Sequence, residues 1–557
     1  MTDEYPLLKS SLSTVAAVFP TLKPAQMERM TALGRVRQVQ SGEVLVEAGE
    51  KDAPIFVIKT GQLEALRPSE AGDKLLVLFL PGQFTGEMGM LSGRRILVRI
   101  RAREAGEVIE IDRNHLLQMV QTDSELSEIF MRAFILRRVE LIAQELGNVV
   151  VLGSAHSHGT LHIREFLTRN GQPYSYVDLD REAGVQDLLD RFHVAVNDVP
   201  VVICYGNTVL RDPTDGQVAE CLGFNEAIDL TALRDVVIVG AGPAGLAAAV
   251  YAASEGLDVL VLEAESPGGQ AASSSMIENY LGFPAGISGQ ELASMAYTQA
   301  LKFGAQIMVA EGARRLMGDH KPYSIETGGP PVQARSVIIA TGAQYRKLPL
   351  DNLSQFEGAG VYYAATYVES QLCADDEVIV VGGGNSAGQA AVFLAQSAKR
   401  VHLLVRSEGL ADSMSRYLIR RIEETPAIAL RLQAEITALM GGDHLERVQW
   451  RDSKTDTVET HEVRHVFVMT GATPNTLWLG GCVALDEGGF IKTGPDLSKE
   501  ELMAAHWPLL RNPYLLETSL PGVFAVGDVR SGNVKRVASA VGEGSIAIAF
   551  VHKVLHE

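Results

Sequence analysis

The pattern of apolar and polar positions divides the chain into segments with different periods. Before residue 124, short apolar runs are separated by glycine-containing turns: Val44–Glu47, Ile55–Lys59, Leu75–Leu80 and Val98–Ala102. Regular short strands of this kind predict a β-barrel or β-sandwich. From Ser124 to Leu146 the apolar residues recur at helical spacing, which predicts one long helix. We therefore expect a β-roll followed by a helix over residues 1–147.

Strands and helices alternate over residues 148–228. The predicted elements are a strand at Val149–Leu152, a helix at Leu161–Arg169, a strand at Tyr174–Leu179, a helix near Gln186–Phe192 and an apolar run at Val199–Ile203. This alternation of the two periods predicts a small α/β domain.

A strand, a glycine turn and an alanine-rich helix then follow one another. The strand Val236–Val239 leads into Gly240-Ala241-Gly242-Pro243-Ala244-Gly245, and a second strand, Val259–Leu262, ends in Glu263. In this dinucleotide fingerprint the first glycine permits a tight turn, the second lets the backbone approach a pyrophosphate, and the third lets the helix pack on the strand. Glu263 is placed to accept a hydrogen bond from a ribose hydroxyl.

A second unit of the same kind lies further along the chain. The strand Glu377–Val381 leads into Gly382-Gly383-Gly384-Asn385-Ser386, and the next strand, Val401–Val405, is followed by Arg406. An arginine at this place pairs with the 2′-phosphate of NADP, which an acid would repel. The sequence therefore predicts two nested Rossmann-like α/β nucleotide-binding domains, the second of them specific for NADPH.

The composition disfavours several classes of partner. The 557 residues carry a formal net charge of −19, which argues against a nucleic-acid surface and against a negatively charged bilayer. The first residues are acidic and are not followed by a long apolar segment, so we expect a cytoplasmic protein.

The cysteines and histidines predict no metal centre. The four cysteines form neither a CxxC motif nor a metal-ligand spacing, and we expect each to be a small buried side chain: Cys204, Cys221, Cys373 and Cys482. His156, His158 and His162 are close together, but no acid or thiol lies beside them, so we expect a polar loop and helix start.

The first segment resembles the cyclic-nucleotide-binding domain. The phrase Pro81–Met88 is similar to the start of that family's phosphate-binding cassette, and Glu87 matches its ribose-binding glutamate. The family's phosphate-binding arginine falls on Ile96 and its small neighbour on Leu97. An isoleucine cannot neutralise a phosphate, so we expect cyclic nucleotides to bind poorly or not at all. The alternative role is dimerisation or docking, and the long helix predicts a homodimer.

Residues 148–228 resemble a thioredoxin or glutaredoxin fold, in which the Val199-Pro200 step would be cis. In that alignment the family's redox dithiol falls on Ser157 and Thr160. A hydroxyl cannot carry out thiol–disulfide exchange, so the resemblance implies a redox-inert spacer or docking domain.

Most of the remainder, residues 233–557, resembles the low-molecular-weight thioredoxin reductase family. The resemblance rests on a Gly-Gly-Gln turn, a downstream asparagine, a Thr-Gly step and a strand ending in Gly-Asp. In the family these segments bind FAD, and the carried-over residues are Gly269, Gln270, Asn279, Thr341, Gly342, Gly527 and Asp528. The family's Arg-Gln pair beside the flavin is Arg536-Val537 here. The implied boundaries are 229–349 and 471–557 for the FAD domain, and 350–470 for the NADPH domain.

The family's redox dithiol is missing. Its two cysteines correspond to Ala364 and Tyr367, and Cys373 stands alone beyond them. The sequence thus predicts a multidomain FAD-dependent oxidoreductase that takes hydride from NADPH and passes electrons directly to an unidentified acceptor. The alternatives are a thioredoxin reductase that uses an atypical route, and a flavoprotein that senses redox state or serves as a scaffold.

Overall fold

A computed structural model of the chain describes residues 15–68, 72–144, 147–154, 157–179, 198–206, 208–318, 320–365, 367–411, 414–442 and 444–557. Contacts divide the chain into two compact units. The first contains residues up to 154, 166–230 and 298–311, and the second contains 155–165, 231–297 and 312–557.

The first unit begins with a β-roll. Its strands are β1 (Arg35–Val39), β2 (Val44–Val46), β3 (Ile55–Arg67), β4 (Lys74–Phe79) and β5 (Arg99–Ile111). They pair antiparallel in the order β1-β5-β3-β4, and β2 also pairs with β5. The helices are α1 (Val15–Val18), α2 (Pro24–Leu33), α3 (Gly89–Ser92), α4 (Arg113–Thr122) and α5 (Ser124–Ala143).

Helix α5 closes the β-roll with one face and exposes another. The carboxylate of Asp123 caps it by accepting from the N–H of Leu126 at 3.1 Å. The rings of Phe130 and Phe84 stack with centroids 3.8 Å apart. The predicted apolar stripe therefore belongs mostly to the core of the same chain. The exposed apolar residues of α5 are Ile135, Val139 and Ile142.

An α/β segment follows the β-roll. Its elements are β6 (Val149–Gly153), α6 (His158–Arg169), β7 (Ser175–Asp178), β8 (Val201–Cys204), β9 (Thr208–Arg211) and α7 (Asp215–Leu222). The strand order is β7-β6-β8-β9, with β6 parallel to β7 and the other pairs antiparallel. The Val199–Pro200 peptide bond is cis. The helix predicted near Gln186–Phe192 lies outside the described residues.

The second unit contains a sheet that starts from the first glycine turn. Its strands are β10 (Leu233–Val239), β11 (Val259–Leu262), β13 (Arg315–Met317), β14 (Tyr323–Glu326), β15 (Val332–Ile339) and β26 (Val523–Ala525). Strands β11, β15 and β26 extend the sheet in parallel from β10, and β14 and β13 continue it antiparallel. The other elements near it in sequence are α8 (Pro243–Ser254), α9 (Gly269–Ala272), α10 (Gly289–Lys302), β12 (Gln306–Met308), α15 (Lys499–Ala504) and α16 (Val537–Leu555).

Helix α16 packs closely against α8. A Cβ built on Gly544 would lie 2.2 Å from the carbonyl oxygen of Ala244, so only glycine permits this approach. By length and composition, α16 is also the one helix among the described residues that could cross a membrane.

Between β15 and β26 the chain forms a second parallel sheet. Its strands are β17 (Val361–Tyr362), β18 (Glu377–Val381), β19 (Arg400–Val405), β20 (Ile428–Leu432) and β24 (His465–Val468), in the order β17-β24-β18-β19-β20. An antiparallel sheet accompanies it, made of β21 (Ala434–Gly441), β22 (Leu445–Asp452) and β23 (Thr457–His461). The helices are α11 (Leu353–Phe356), α12 (Tyr367–Leu372), α13 (Asn385–Leu394) and α14 (Arg416–Glu424).

Two short strands border this inserted region. They are β16 (Ala343–Tyr345) and β25 (Ala472–Pro474), and they pair antiparallel along their whole length. The entering and leaving segments of the insertion are therefore hydrogen-bonded to each other.

Candidate functional site

The first glycine turn has the geometry that its sequence predicts. Gly240 follows β10 with φ of +106°, and a Cβ there would lie 2.4 Å from the carbonyl oxygen of Ala340. A Cβ on Gly245 would lie 1.8 Å from the carbonyl oxygen of Gly240. Helix α8 then begins with Gly242 at its N-cap and Pro243 in its first turn, so unpaired N–H groups point out of the helix start.

Glu263 supports this turn directly. One carboxylate oxygen accepts from the N–H of Ala241 at 2.7 Å, and the other accepts from the N–H of Glu265 at 3.0 Å. The acid at the end of β11 therefore orders the glycine turn, and its carboxylate has the chemistry to accept hydrogen bonds from ribose hydroxyls.

The Gly268-Gly269 turn lies against this first glycine turn. The N–H of Gly268 donates to the carbonyl oxygen of Ala241 at 2.7 Å. A Cβ on Gly269 would lie 3.1 Å from the Cα of Gly242. Glycine backbone from both turns thus borders one space at the start of α8, where the helix dipole favours an anion. The chemistry and space fit a dinucleotide pyrophosphate.

A glutamate of helix α16 holds the Gly-Asp turn in place. Gly527 starts a short 3-10 helix, Gly527–Val529, and its N–H donates to a carboxylate oxygen of Glu543 at 2.8 Å. The guanidinium of Arg530 donates to the other oxygen of Glu543 at 3.0 Å through Nε. Burial raises the pKa of Asp528 above its usual range. A half-buried carboxylate in this place suits the hydroxyls of a polyol chain.

The remaining residues predicted for the first site differ in exposure. Gln270 and Asn279 are exposed, and Val537 is partly buried at the first position of α16. Thr341 is tied to Asn475 by two hydrogen bonds: its hydroxyl donates to the Asn475 carbonyl oxygen at 2.8 Å, and the Asn475 amide donates back at 2.9 Å. Gly342 follows with φ of +64° and open space around its Cα.

The glycine turn of the second nucleotide-binding unit, Gly382-Gly383-Gly384, lies after β18. Gly382 has a positive φ, and a Cβ there would lie 2.3 Å from the carbonyl oxygen of Met469. Gly384 is the N-cap of α13. The side-chain oxygen of Asn385 accepts from the N–H of Ser415 at 2.8 Å, so this residue braces the start of α14. Ser386 forms a hydrogen bond with the partly buried Tyr345.

Arg406 follows the last residue of β19 and is exposed. None of the residues that the structure describes makes a hydrogen bond or ion pair with it. A guanidinium that is free in this way, at the end of the second strand of the unit, suits a 2′-phosphate.

The resemblance sets the family dithiol at Ala364 and Tyr367. Ala364 lies just after β17, and Tyr367 is the first residue of α12. Cys373 is fully buried in the core of this region, and its thiol donates to the carbonyl oxygen of Ser370 at 3.7 Å. Burial raises its pKa to about 12. A thiol in these surroundings is not a nucleophile near neutral pH.

The β-roll contains a pocket with a largely apolar lining. Ile96 and Leu97 line it together with Val46, Leu76, Val77 and Phe79. Glu87 also lines the cavity, and one of its carboxylate oxygens pairs with Arg138 at 3.2 Å. The positions that the resemblance assigns to the family's phosphate contact, Ile96 and Leu97, therefore lie in the apolar part of this lining.

The two arginines of the cassette point to the α/β segment instead. Arg94 donates to the carbonyl oxygen of Asn170 at 2.8 Å, and its guanidinium lies 4.0 Å from the ring centroid of Phe224. Arg95 donates to both carboxylate oxygens of Glu226, at 3.1 Å and 2.6 Å. Both arginines are therefore engaged with residues of the α/β segment.

The expectation that each cysteine is buried is wrong for two of them. Cys204 and Cys373 are buried, whereas Cys221 and Cys482 are only partly buried. The described residues contain no group of three or more metal-ligating side chains, and His156 lies outside them.

Two glycine turns that each open a helix after a parallel strand, one beside an acid and one beside an arginine, define a two-nucleotide oxidoreductase. The chain belongs to the pyridine nucleotide-disulphide oxidoreductase family, whose pattern matches residues 234–544. It is an NAD(P)H-dependent flavoenzyme of the thioredoxin reductase type, and the cofactors of that type are FAD and NADPH. The cyclic nucleotide-binding domain family matches residues 36–123.

Individual relatives agree with this assignment. The chain is 33% identical over 317 residues to the thioredoxin reductase of Ureaplasma parvum, a match that covers 57% of this chain and 95% of that protein. It is 34% identical over 316 residues to the thioredoxin reductase of Mycolicibacterium smegmatis, covering 57% and 94%. The crystal structure of the T. acidophilum thioredoxin reductase covers 58% of this chain and 99% of its own, with 31% identity and a TM-score of 0.52.

Proposed function

We propose that the protein oxidises NADPH through bound FAD and delivers the electrons directly to an acceptor, without an enzyme dithiol. The observation that carries this proposal is the pairing of two intact nucleotide turns with Ala364 and Tyr367 at the dithiol positions. FAD and NADPH together supply hydride transfer when bound, and the protein supplies binding and orientation.

The proposed binding residues form two groups, one at the glycine turn after β10 and one at the glycine turn after β18. In the first, Gly240, Gly242 and Gly245 give the backbone a surface for pyrophosphate, Glu263 accepts from ribose, and Asp528 accepts from the ribityl chain. In the second, Gly382 and Gly384 open α13 for the other pyrophosphate. Arg406 selects the phosphorylated nucleotide because its guanidinium is exposed and has no pairing partner among the described residues.

A relay through Cys373 is disfavoured by its surroundings. Its sulfur is buried among apolar side chains, and the high pKa keeps it protonated. Electrons therefore leave the flavin towards an acceptor that reaches its face, such as a quinone, an artificial dye or oxygen.

The decisive experiment is a variant in which all four cysteines are changed to Ser or Ala. We expect unchanged NADPH-dependent reduction of a quinone, measured at 340 nm under conditions in which the variant stays folded. Loss of thioredoxin reduction in that variant, after activity in the parent, would establish the atypical disulfide route instead. If the parent consumes no NADPH with quinones, dyes, disulfides, ferredoxin-type proteins or oxygen, a sensor or scaffold role replaces the enzymatic one.

The first unit has two proposed parts, a β-roll over residues 1–147 and a thioredoxin-like domain over 148–228. Support for the second part comes from the strand order β7-β6-β8-β9 and from the hydroxyls at Ser157 and Thr160, which make it inert by the route of that family. The FAD domain is proposed over 229–349 and 471–557, with the NADPH domain over 350–470.

We expect the β-roll to bind cyclic AMP and cyclic GMP poorly or not at all, because Ile96 and Leu97 line its cavity. Micromolar binding of either ligand in calorimetry would overturn this expectation. The protein is proposed to be a cytoplasmic homodimer that uses the exposed side of α5. Changing Val139 to Glu should then lower the mass measured by light scattering, whereas an unchanged mass would argue for another interface.

A further inference from the structure

The pocket of the β-roll is lined by side chains from five of its elements. Val46 comes from β2, Ala65 from β3, Leu76 from β4, Ile100 from β5 and Leu141 from α5. All five side chains are apolar and buried. The lining is therefore part of the folded core of the β-roll and does not depend on a single loop.

An apolar pocket favours one kind of occupant. Protein interiors are normally packed as densely as organic crystals, so side chains that border an open space lose dispersion contacts on that side. Water does not replace those contacts, because it forms few hydrogen bonds with an apolar lining, whereas hydrocarbon does replace them. The pocket therefore suits the hydrocarbon part of a small molecule.

The exposed part of the lining differs from the buried part. Pro54, Gly86, Glu87 and Val98 line the pocket and are partly exposed. Glu87 is the charged residue of this group. A ligand with an apolar body and one polar end would thus place its polar end beside Glu87, and its body among the buried side chains.

The positive charge of the lining is held by groups of the same domain. Arg137 is buried, and its guanidinium donates to the carbonyl oxygen of Val18 at 3.0 Å and to that of Gly86 at 2.8 Å. The guanidinium also lies 4.9 Å from the ring centroid of Phe19 and 4.8 Å from that of Phe84. These contacts make Arg137 a structural part of the lining.

Glu87 balances this charge and is a hydrogen-bond acceptor. One of its carboxylate oxygens lies 3.2 Å from a guanidinium nitrogen of Arg138. Among the described residues that line the pocket, Glu87 is the one acid and Arg137 the one base, so the formal charge of the lining is zero. A carboxylate accepts strongly from a hydroxyl. An uncharged ligand with a hydroxyl at its polar end therefore suits the pocket.

We propose that the β-roll binds an uncharged apolar alcohol, whose hydrocarbon body occupies the pocket and whose hydroxyl donates to Glu87. Binding makes and breaks no covalent bond and needs neither NADPH nor FAD, so it goes beyond the proposed function. Failure of the flavin chemistry would leave this binding unaffected, and failure of the binding would leave quinone reduction unaffected.

The first test is calorimetry of the full chain with n-hexanol, n-heptanol and n-octanol. Each further methylene group that enters the pocket should lower Kd about fourfold. The chain length at which Kd stops falling then reports the length of the pocket. A Kd that does not change along the series, or no binding of any of the three alcohols, would overturn the proposal.

Two further ligands test the polar end. Heptyl methyl ether is an isomer of n-octanol that has no hydroxyl donor, and its Kd should be about tenfold higher because a hydrogen bond to a charged group is lost. Octanoate should bind no more tightly than n-octanol. Equal affinity for the ether and the alcohol, or tighter binding of octanoate, would overturn the assignment of an alcohol.

A pair of variants on β2 assigns the binding to this pocket. Val46→Phe places a larger ring in the lining and should abolish n-octanol binding. Val44→Phe makes the same change on the same strand at an exposed position outside the lining, and it should bind as the parent does. Equal binding by the two folded variants would overturn the proposal. If Val46→Phe does not fold, Val98→Phe, at a partly buried lining position, provides the same comparison, and the alcohol series with the parent protein decides the proposal by itself.

Discussion

The contact between α16 and α8 gives a sharp test of how the first glycine turn is held, because α16 offers two glycines with opposite surroundings. A Cβ on Gly544 would lie 2.2 Å from the carbonyl oxygen of Ala244, which belongs to the first turn of α8. A Cβ on Gly542 would meet nothing within 4 Å. Each position takes one extra methyl group in the change to Ala, so the two variants differ only in what that methyl group contacts.

The expected effects have opposite signs. Gly542→Ala replaces a poor helix former with the best one and should stabilise the protein by up to about 1 kcal/mol. Gly544→Ala gains the same propensity, but the two helices must move apart. Forced overpacking of this kind typically costs about 1–3 kcal/mol. The difference between the variants should therefore be about 1 to 3 kcal/mol, and FAD retention should fall only for Gly544→Ala, because Ala244 lies in the nucleotide turn.

Thermal unfolding followed by flavin fluorescence measures both quantities at once. In a domain of about 200 residues each kcal/mol corresponds to about 2–4 °C in Tm. Equal Tm values for the two variants, or greater flavin loss from Gly542→Ala, would refute the reasoning.

Three further outcomes are expected. Arg406→Ala should raise the apparent KM for NADPH about tenfold, because a charge-assisted contact of about 1.5 kcal/mol is lost. The KM for NADH, and both KM values of the control variant Arg400→Ala, should stay unchanged. Equal damage with both nucleotides would exclude this role of Arg406. The pKa of Asp528 is raised in the folded protein, so its ionisation costs stability as pH rises above about 4. Asp528→Asn should therefore raise the Tm of the FAD-free protein more at pH 7 than at pH 4. An effect on Tm that does not depend on pH would contradict this. Arg95→Ala should shift the pH profile of Cys221 alkylation to higher pH, because the charge of Arg95 lowers the pKa of this thiol. An unshifted profile would show that Arg95 does not affect Cys221.

The nucleotide turns could be predicted from the sequence because their parts are close together in the chain. Gly240, Gly245 and Glu263 fall within one βαβ unit, and the structure gives each the geometry that its position indicates. Glu543 could not be found in this way. It belongs to α16, 16 residues beyond the Gly527 whose N–H it accepts, and nothing in its local pattern distinguishes it from an ordinary helical acid.

The expectation that the β-roll binds cyclic nucleotides poorly could be drawn from the sequence, because Ile96 stands in a local motif where the resembled family has a charged residue. What the motif could not indicate was the new use of Arg95 as a partner of Glu226.

The ribbon formed by β16 and β25 has a consequence for protein engineering. Tyr345 and Ala472 are paired residues on adjacent strands, so the chain leaves and re-enters the FAD domain at points only about 5 Å apart. A two-residue turn can span that gap. The intervening region should therefore be removable as one cassette with the FAD domain still closed, and a different nucleotide-binding module with adjacent ends could be inserted at the same place.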